Sequence, residues 1–267
     1  MSLVRKERHM TKGGEVITWH EYWLDGVRVP GVTTAIKGVG GADGLINWAV
    51  GGAISYAYEN RDRLADLNRD EYVALVNAGA RVQRDEAKNA GIAVHAIAHA
   101  LLSGAPVQVP DYLRGHVEQT VDFMERHDVQ DIISERPVAS RRWQYAGTLD
   151  LVARLADGRV WLLDYKTGAS VWLTVALQLA AYRFAEIYVD DDGAEHPMTP
   201  VDACGVVKIG PDGWELLPVI AGRDQHRVFL NALATHRFAK LKVDELIRPA
   251  LAVPGITNAS LPIRDNV

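Results

Sequence analysis

A single cysteine, Cys204, stands in a chain of 267 residues. One thiol excludes any disulfide within the chain and any four-cysteine zinc or iron–sulfur site. Cys204 lies in the apolar run ACGVVKI, which reads as a buried strand cysteine and not as a reactive thiol. No apolar stretch is long enough to span a bilayer; the best candidates, such as Trp172 to Ala181, end after one helix's worth of core residues. The basic start MSLVRKERHMTKGGE leads into no apolar segment with a small-residue cleavage site, so it does not read as a signal peptide. The expected location is therefore the cytoplasm. A phosphate-cradling loop is missing too: the glycines from Gly38 to Gly44 precede no GK[ST] and miss GxGxxG, so they read as a turn into a helix and no ATP site is expected. Internal repeats and low-complexity tracts are also absent.

What remains is the composition of an ordinary globular protein, 48% hydrophobic and 24% charged. The length suits one large domain or a domain with a helical extension. A net charge of −5 argues mildly against a protein that coats nucleic acid. It leaves room for an enzyme that holds nucleic acid in a local groove, because carboxylates at a metal site contribute to that count.

Periodicity divides the chain in two. EVITWHEYWL, the turn Asp25-Gly26 and VRVPGVTT predict a hairpin. Helical spacing follows at about 43–64, 69–78, 81–102 and 111–128. The pattern then switches to strands at about 131–140, 143–155 and 159–165, with Asp157-Gly158 turning between the last two. A helix is expected over 171–188, then an acidic loop (DDDGAEHP), strands at 203–209 and 214–219 around Pro211-Asp212-Gly213, and a helix over 224–243. The expected organisation is a hairpin and helical extension over 1–84, a catalytic core with its leading helices over 85–248, and an irregular tail over 249–267.

One cluster in the core region has chemical potential. Side chains two apart on a strand share a face, so Asp164 and Lys166 stand side by side at the end of VWLLDYK, with Leu163 and Tyr165 facing away. Asp150 sits on the preceding strand across a short hairpin, where it can neighbour Asp164. Carboxylates holding Mg²⁺ or Mn²⁺ neutralise phosphate oxygens and make a hydroxide available, and a lysine beside them stabilises developing charge. By spacing alone, however, an exposed ion pair on a surface hairpin explains the trio better.

The surrounding residues point further. GTLDLVARLADGRVWLLDYKTG resembles the core of the PD-(D/E)XK nuclease superfamily, in its RecB-like branch: Gly147 and Asp150, then Asp164-Tyr165-Lys166-Thr167-Gly168, then Gln178 and Tyr182 on a helix. Upstream, Gly91 and His95 match that branch's helical Gly-x-x-x-His. The resemblance spans roughly Gly91 to Tyr182 and implies an α/β fold with a central mixed sheet flanked by helices. It implies that His95, Asp150, Asp164 and the Tyr165 carbonyl bind Mg²⁺ or Mn²⁺, that Lys166 is the catalytic lysine, and that Gln178 and Tyr182 line the site. Glu135, on the strand before Gly147, is a further candidate ligand, weighed against an exposed strand glutamate. His99, one turn beyond His95, reads as structural. HExxH zinc chemistry is excluded by Ala96, and a penicillin-recognising serine enzyme by the lack of any Ser-x-x-Lys.

Some members of that branch carry an iron–sulfur cluster on four cysteines, which this chain cannot. The resemblance thus implies a cluster-free nuclease of bacterial or phage type acting on DNA ends, single- or double-stranded, with recombination or replication proteins as partners. Exonuclease action leads. A structure-specific endonuclease and a non-catalytic nucleic-acid-binding module are the alternatives. Trp48, Tyr56 and Tyr58 are candidates for base stacking against ordinary core packing. Arg223, Arg227, Arg237, Lys240 and Lys242 are candidates for phosphate contact against a solvated helix face.

Overall fold

In the computed structural model the described residues are 2–12, 15–39, 41–168 and 170–247; the side chains at 12, 15–17, 41–48, 84, 243 and 244 lie outside the description. The expected irregular tail, 249–267, also lies outside it. The chain is an α/β protein built on a seven-stranded mixed sheet with helices on both faces.

Three antiparallel strands enter that sheet first, β4 (Gln130–Ser140), β5 (Tyr145–Arg154) and β6 (Val160–Lys166). Helix α6 (Thr174–Arg183) and the short pair β7 (Ile187–Val189) and β8 (Glu195–Pro197) follow. The chain then returns in β9 (Ala203–Ile209), parallel to β6, and β10 (Trp214–Pro218) closes that edge. The spatial order is β10-β9-β6-β5-β4-β7-β8. Central β6 is buried on both faces, which accounts for its nearly unbroken apolar run.

Val160 and Leu162 of β6 pack with Leu177, Leu179 and Ala180 of α6 and with Phe229 and Leu233 of α7 (Arg223–Phe238). Trp161, Leu163 and Tyr165 pack on the other face, with Val94, Ile97 and Ala98 of α4 (Arg69–Leu102) and Val117 and Phe123 of α5 (Arg114–Arg126). Each fully buried large side chain contributes roughly 1.5–3 kcal/mol to this two-sided core. Cys204 is buried within it, and burial pushes its thiol up to about 11.

Before the core, β1 (Leu3–Lys12), β2 (Glu15–Leu24) and β3 (Val27–Val29) form a separate three-stranded sheet. Then come α1 (Val32–Ala35), α2 (Gly41–Glu59) and α3 (Arg61–Leu64). Several boundaries differ from expectation. The hairpin's second arm stops at Val29, because Pro30 cannot donate to a ladder, and Val32 starts a helix. The helix expected over 43–64 breaks at Asn60. The two expected over 69–78 and 81–102 are one, since Gly79 only admits Tyr56 against the helix and does not end it. Asn68 begins that long helix with a capping box to Glu71.

Downstream, the helix expected to reach Tyr188 ends at Arg183. Tyr188 pairs with Val138 in the sheet, and the acidic loop folds as a hairpin arm whose Glu195 meets Arg141. The last expected helix likewise ends at Phe238, with α8 (Val243–Leu246) separate.

Candidate active site

The site lies where three strands of the main sheet and α4 converge. The β5–β6 register pairs Leu151 with Leu163, and continued by one residue it sets Asp150 opposite Asp164. The β4–β5 pairs Ser134–Leu151 and Arg136–Leu149 likewise set Glu135 opposite Asp150. Three carboxylates therefore lie in a row across three strands. Glu135 holds a left-handed backbone (φ 52°), uncommon for a residue with a side chain and costing on the order of 1–2 kcal/mol.

Helix α4 closes over this row. Gly91 brings it close to the loop after β6: a Cβ there would lie 3.1 Å from Thr167 Oγ1. One turn later His95 reaches the floor. Its Nε2 is 3.0 Å from the Tyr165 carbonyl oxygen, while Nδ1 is 3.4 Å from Asp150 and 3.7 Å from Glu135. Donor atoms of His95, Glu135 and Asp150 all fall within 4.8 Å of one another, a spacing one cation can bridge.

The other half of the site is built on β6 and α6. The Lys166 ammonium pairs with Asp164 Oδ2 and lies 3.3 Å from the Tyr165 carbonyl oxygen. Gln178 Nε2 donates to Asp164 Oδ1 at 2.8 Å, and the Tyr165 amide donates to Asp150 Oδ2 at 2.8 Å. Tyr182 lies over Gly147, where a Cβ would come within 2.5 Å of its ring. Helix periodicity explains the pairing of Gln178 and Tyr182, four residues apart on one face of α6.

Electrostatics tie the groups together. Burial alone would lower the His95 imidazole, but Asp150 and then Glu135 outweigh it and raise it to about 10. Burial and the neighbouring Asp150 push Asp164 up to about 6, against the pull of Lys166. Burial would also raise Asp150, yet the charges of His95 and Lys166 hold it below the ordinary carboxylate range. Lys166 is desolvated, but Asp164 and Asp150 more than compensate and raise it. The cluster thus sets its carboxylates against the His95 imidazole and the Lys166 ammonium, both of which they draw towards the charged form. The set attracts positive charge, and a divalent ion would satisfy the same oxygens and imidazole nitrogen, so the residues present fit one.

All the sequence-predicted residues, His95, Glu135, Asp150, Asp164, Tyr165, Lys166, Gln178 and Tyr182, meet here. Glu135 is inside the cluster and not an exposed strand residue. His99 bonds Ser134 Oγ at 2.8 Å, one turn behind the site. Of the stacking candidates, Tyr56 packs on Gly79 and Tyr58 stands under Arg61 on the surface, while the Trp48 side chain lies outside the description. On α7, Arg237 donates to the carbonyls of Trp143 and Gln144, and Arg227 pairs with Asp224.

Two adjoining cavities, of about 680 and 550 Å³, open over the cluster. Their walls include Arg5, His20, Tyr22 and Lys88, which sequence reading passed over. Strand alternation alone signals only that Arg5 and His20 could share a face, not what the face covers. A further cavity of about 510 Å³ between α2 and α4 is lined, among the described residues, by neither carboxylate nor histidine.

No family model and no curated protein matches the chain. A solved structure described as "Crystal structure of SSO0001" aligns over 75% of this chain and 82% of its own, at 13% identity and a TM-score of 0.31. A similarity that low supports no argument about function.

Proposed function

We propose that this chain is a divalent-metal-dependent DNA nuclease with a PD-(D/E)XK core, acting as an exonuclease in end processing, recombination or replication. The observation that carries the reading is the convergence of Glu135, Asp150, Asp164, His95 and Lys166 from three strands and one helix. A surface ion pair would be exposed, whereas the Asp164 side chain is only 3% exposed. The run from α4 through β4, β5, β6 and α6 to β9 supports the same core.

His95, Glu135, Asp150, Asp164 and the Tyr165 carbonyl would hold Mg²⁺ or Mn²⁺. When bound, the metal supplies charge neutralisation at phosphate oxygens and acidifies water. Gln178 fixes the Asp164 carboxylate, and Tyr182 packs beside it against Gly147. Lys166 keeps a cationic donor at the floor, where charge grows as water attacks phosphorus and the leaving oxygen departs. A bacterial or phage-infected cytoplasm and recombination or replication partners belong to the same proposal.

The test is cleavage of labelled linear and circular DNA with Mg²⁺ or Mn²⁺ by wild type, Asp164→Ala and Lys166→Ala. Metal-dependent loss of linear DNA, falling at least about 10²-fold in both variants, is expected. Cleavage of circular single strands would make it an endonuclease. Equal activity in all three proteins, or none on any DNA, would overturn the mechanism.

A further inference from the structure

The hairpin β1–β2 lies outside the motifs that suggest catalysis, yet its inner face forms a wall of the cleft. Register pairs Leu3 with Leu24, Arg5 with Tyr22 and Glu7 with His20, so alternation puts these six side chains on one face. Leu3, Leu24 and Tyr22 are buried and anchor the hairpin against the main sheet, while Arg5 is half-buried and His20 exposed. The anchor is reinforced: Tyr22 Oη lies 3.0 Å from Thr148 Oγ1, and the Leu3 amide donates to Glu195 at 2.8 Å. Arg5 and His20 are thus held over the cleft and do not hang on a free arm.

Arg5 Nη2 lies 2.9 Å from His20 Nε2. A guanidinium only donates, so His20 accepts and is neutral, consistent with burial and Arg5 both lowering its pKa. Its Nδ1–H then remains a donor. Arg5 has no carboxylate partner among the described residues, although Glu7, on the same face, sits 3.8 Å from His20. Across the cleft, α4 presents Lys88, Ile92 and His95 at helical spacing. Lys88 is exposed and likewise without a partner among the described residues, and Ile92 is 59% exposed beside it. Two unpaired cations on facing walls, above an acidic floor that would itself be neutralised by metal, suit an extended polyanion.

We propose that Arg5, His20 and Lys88 form a phosphate grip that seats the nucleic-acid backbone across the metal floor. This rests on the nuclease reading and assigns the hairpin a role in substrate binding. Arg5 offers a planar fork to a phosphate, His20 orients that fork and adds a donor, and Lys88 closes from the opposite wall. Ile92 gives sugars and bases an apolar surface.

The experiment measures anisotropy of a labelled oligonucleotide with Ca²⁺ present, across about 50–200 mM salt, for wild type and the Arg5→Ala/Lys88→Ala double variant. Each lost phosphate contact should flatten the log–log salt slope by about 0.7–0.9, so the double variant loses roughly 1.4–1.8 and binds at least tenfold more weakly. In cleavage assays its KM rises while kcat stays within about twofold of wild type. Arg5→Lys/Lys88→Arg should retain most of the salt slope, and equal thermal melts establish an intact fold. Unchanged affinity and slope in the double variant, with wild type binding and cleaving, overturns the grip and leaves the nuclease reading standing. Loss of slope on Lys240→Ala/Lys242→Ala instead also overturns it, by placing phosphate contact in the turn between α7 and α8. A wild type that neither binds nor cleaves DNA overturns both.

Discussion

The ring of Tyr182 occupies the space that Gly147 leaves by having no side chain, with Cε1 2.5 Å from where a Cβ would stand. The ring is 3% exposed and lies one turn from Gln178, which holds Asp164, so β5 and α6 can meet over the site only through that glycine. Gly147→Ala should therefore destabilise the protein by about 1–3 kcal/mol and reduce cleavage more than it reduces DNA affinity. Urea unfolding and a binding isotherm measure the two effects. An unchanged unfolding midpoint would mean that the ring swings aside freely.

Tyr165 contributes its carbonyl, not its hydroxyl. The hydroxyl is buried on the α4 and α5 face with no hydrogen-bond partner among the described residues, and burial raises its pKa above the ordinary tyrosine range. An unsatisfied buried group costs about 1–3 kcal/mol, so Tyr165→Phe should keep full activity and be as stable as wild type or more so. Differential scanning calorimetry reads the shift, and a large fall in the melting temperature would reveal a partner for the hydroxyl.

His95 makes the metal-free protein sensitive to alkaline pH. Its folded pKa of about 10 lies above the ordinary 6.5. A raised histidine contributes stability that is fully present below about 6.5 and is lost as pH rises through 10. Asp150 is lowered, so its contribution is present above the ordinary carboxylate value and is lost in acid. Chelator-treated protein should thus lose stability steadily between about pH 6.5 and pH 10, with His95→Asn flattening this alkaline limb. Equal alkaline limbs in the two proteins would remove His95 from the account.

Glu135 tests the metal floor without disturbing the fold. Glu135→Gln keeps the side-chain shape and the left-handed backbone but removes one charge from a set whose affinity follows ligand charge. Mn²⁺ affinity by calorimetry should fall roughly tenfold or more, with little change in the metal-free melting temperature. Wild-type Mn²⁺ affinity in this variant would place the ion away from Glu135.

Much of this was already determined by the sequence. Alternation and the Asp157-Gly158 turn place Asp150, Asp164 and Lys166 on adjoining strands, because a short hairpin leaves few registers. Helical spacing does the same for Gly91 with His95 and for Gln178 with Tyr182. Boundaries were less legible where tertiary pairing overrode local pattern, as at Tyr188, which fits an extended helix until β4 offers it a ladder. What only the tertiary structure decided was distance across the chain. Glu135 becomes a site residue because the β4–β5 register sets it opposite Asp150, a long-range pairing that its own segment does not encode. Arg5 and His20 reach the cleft because Leu3, Tyr22 and Leu24 bury the hairpin's base against the sheet, a long-range packing term that no local window contains.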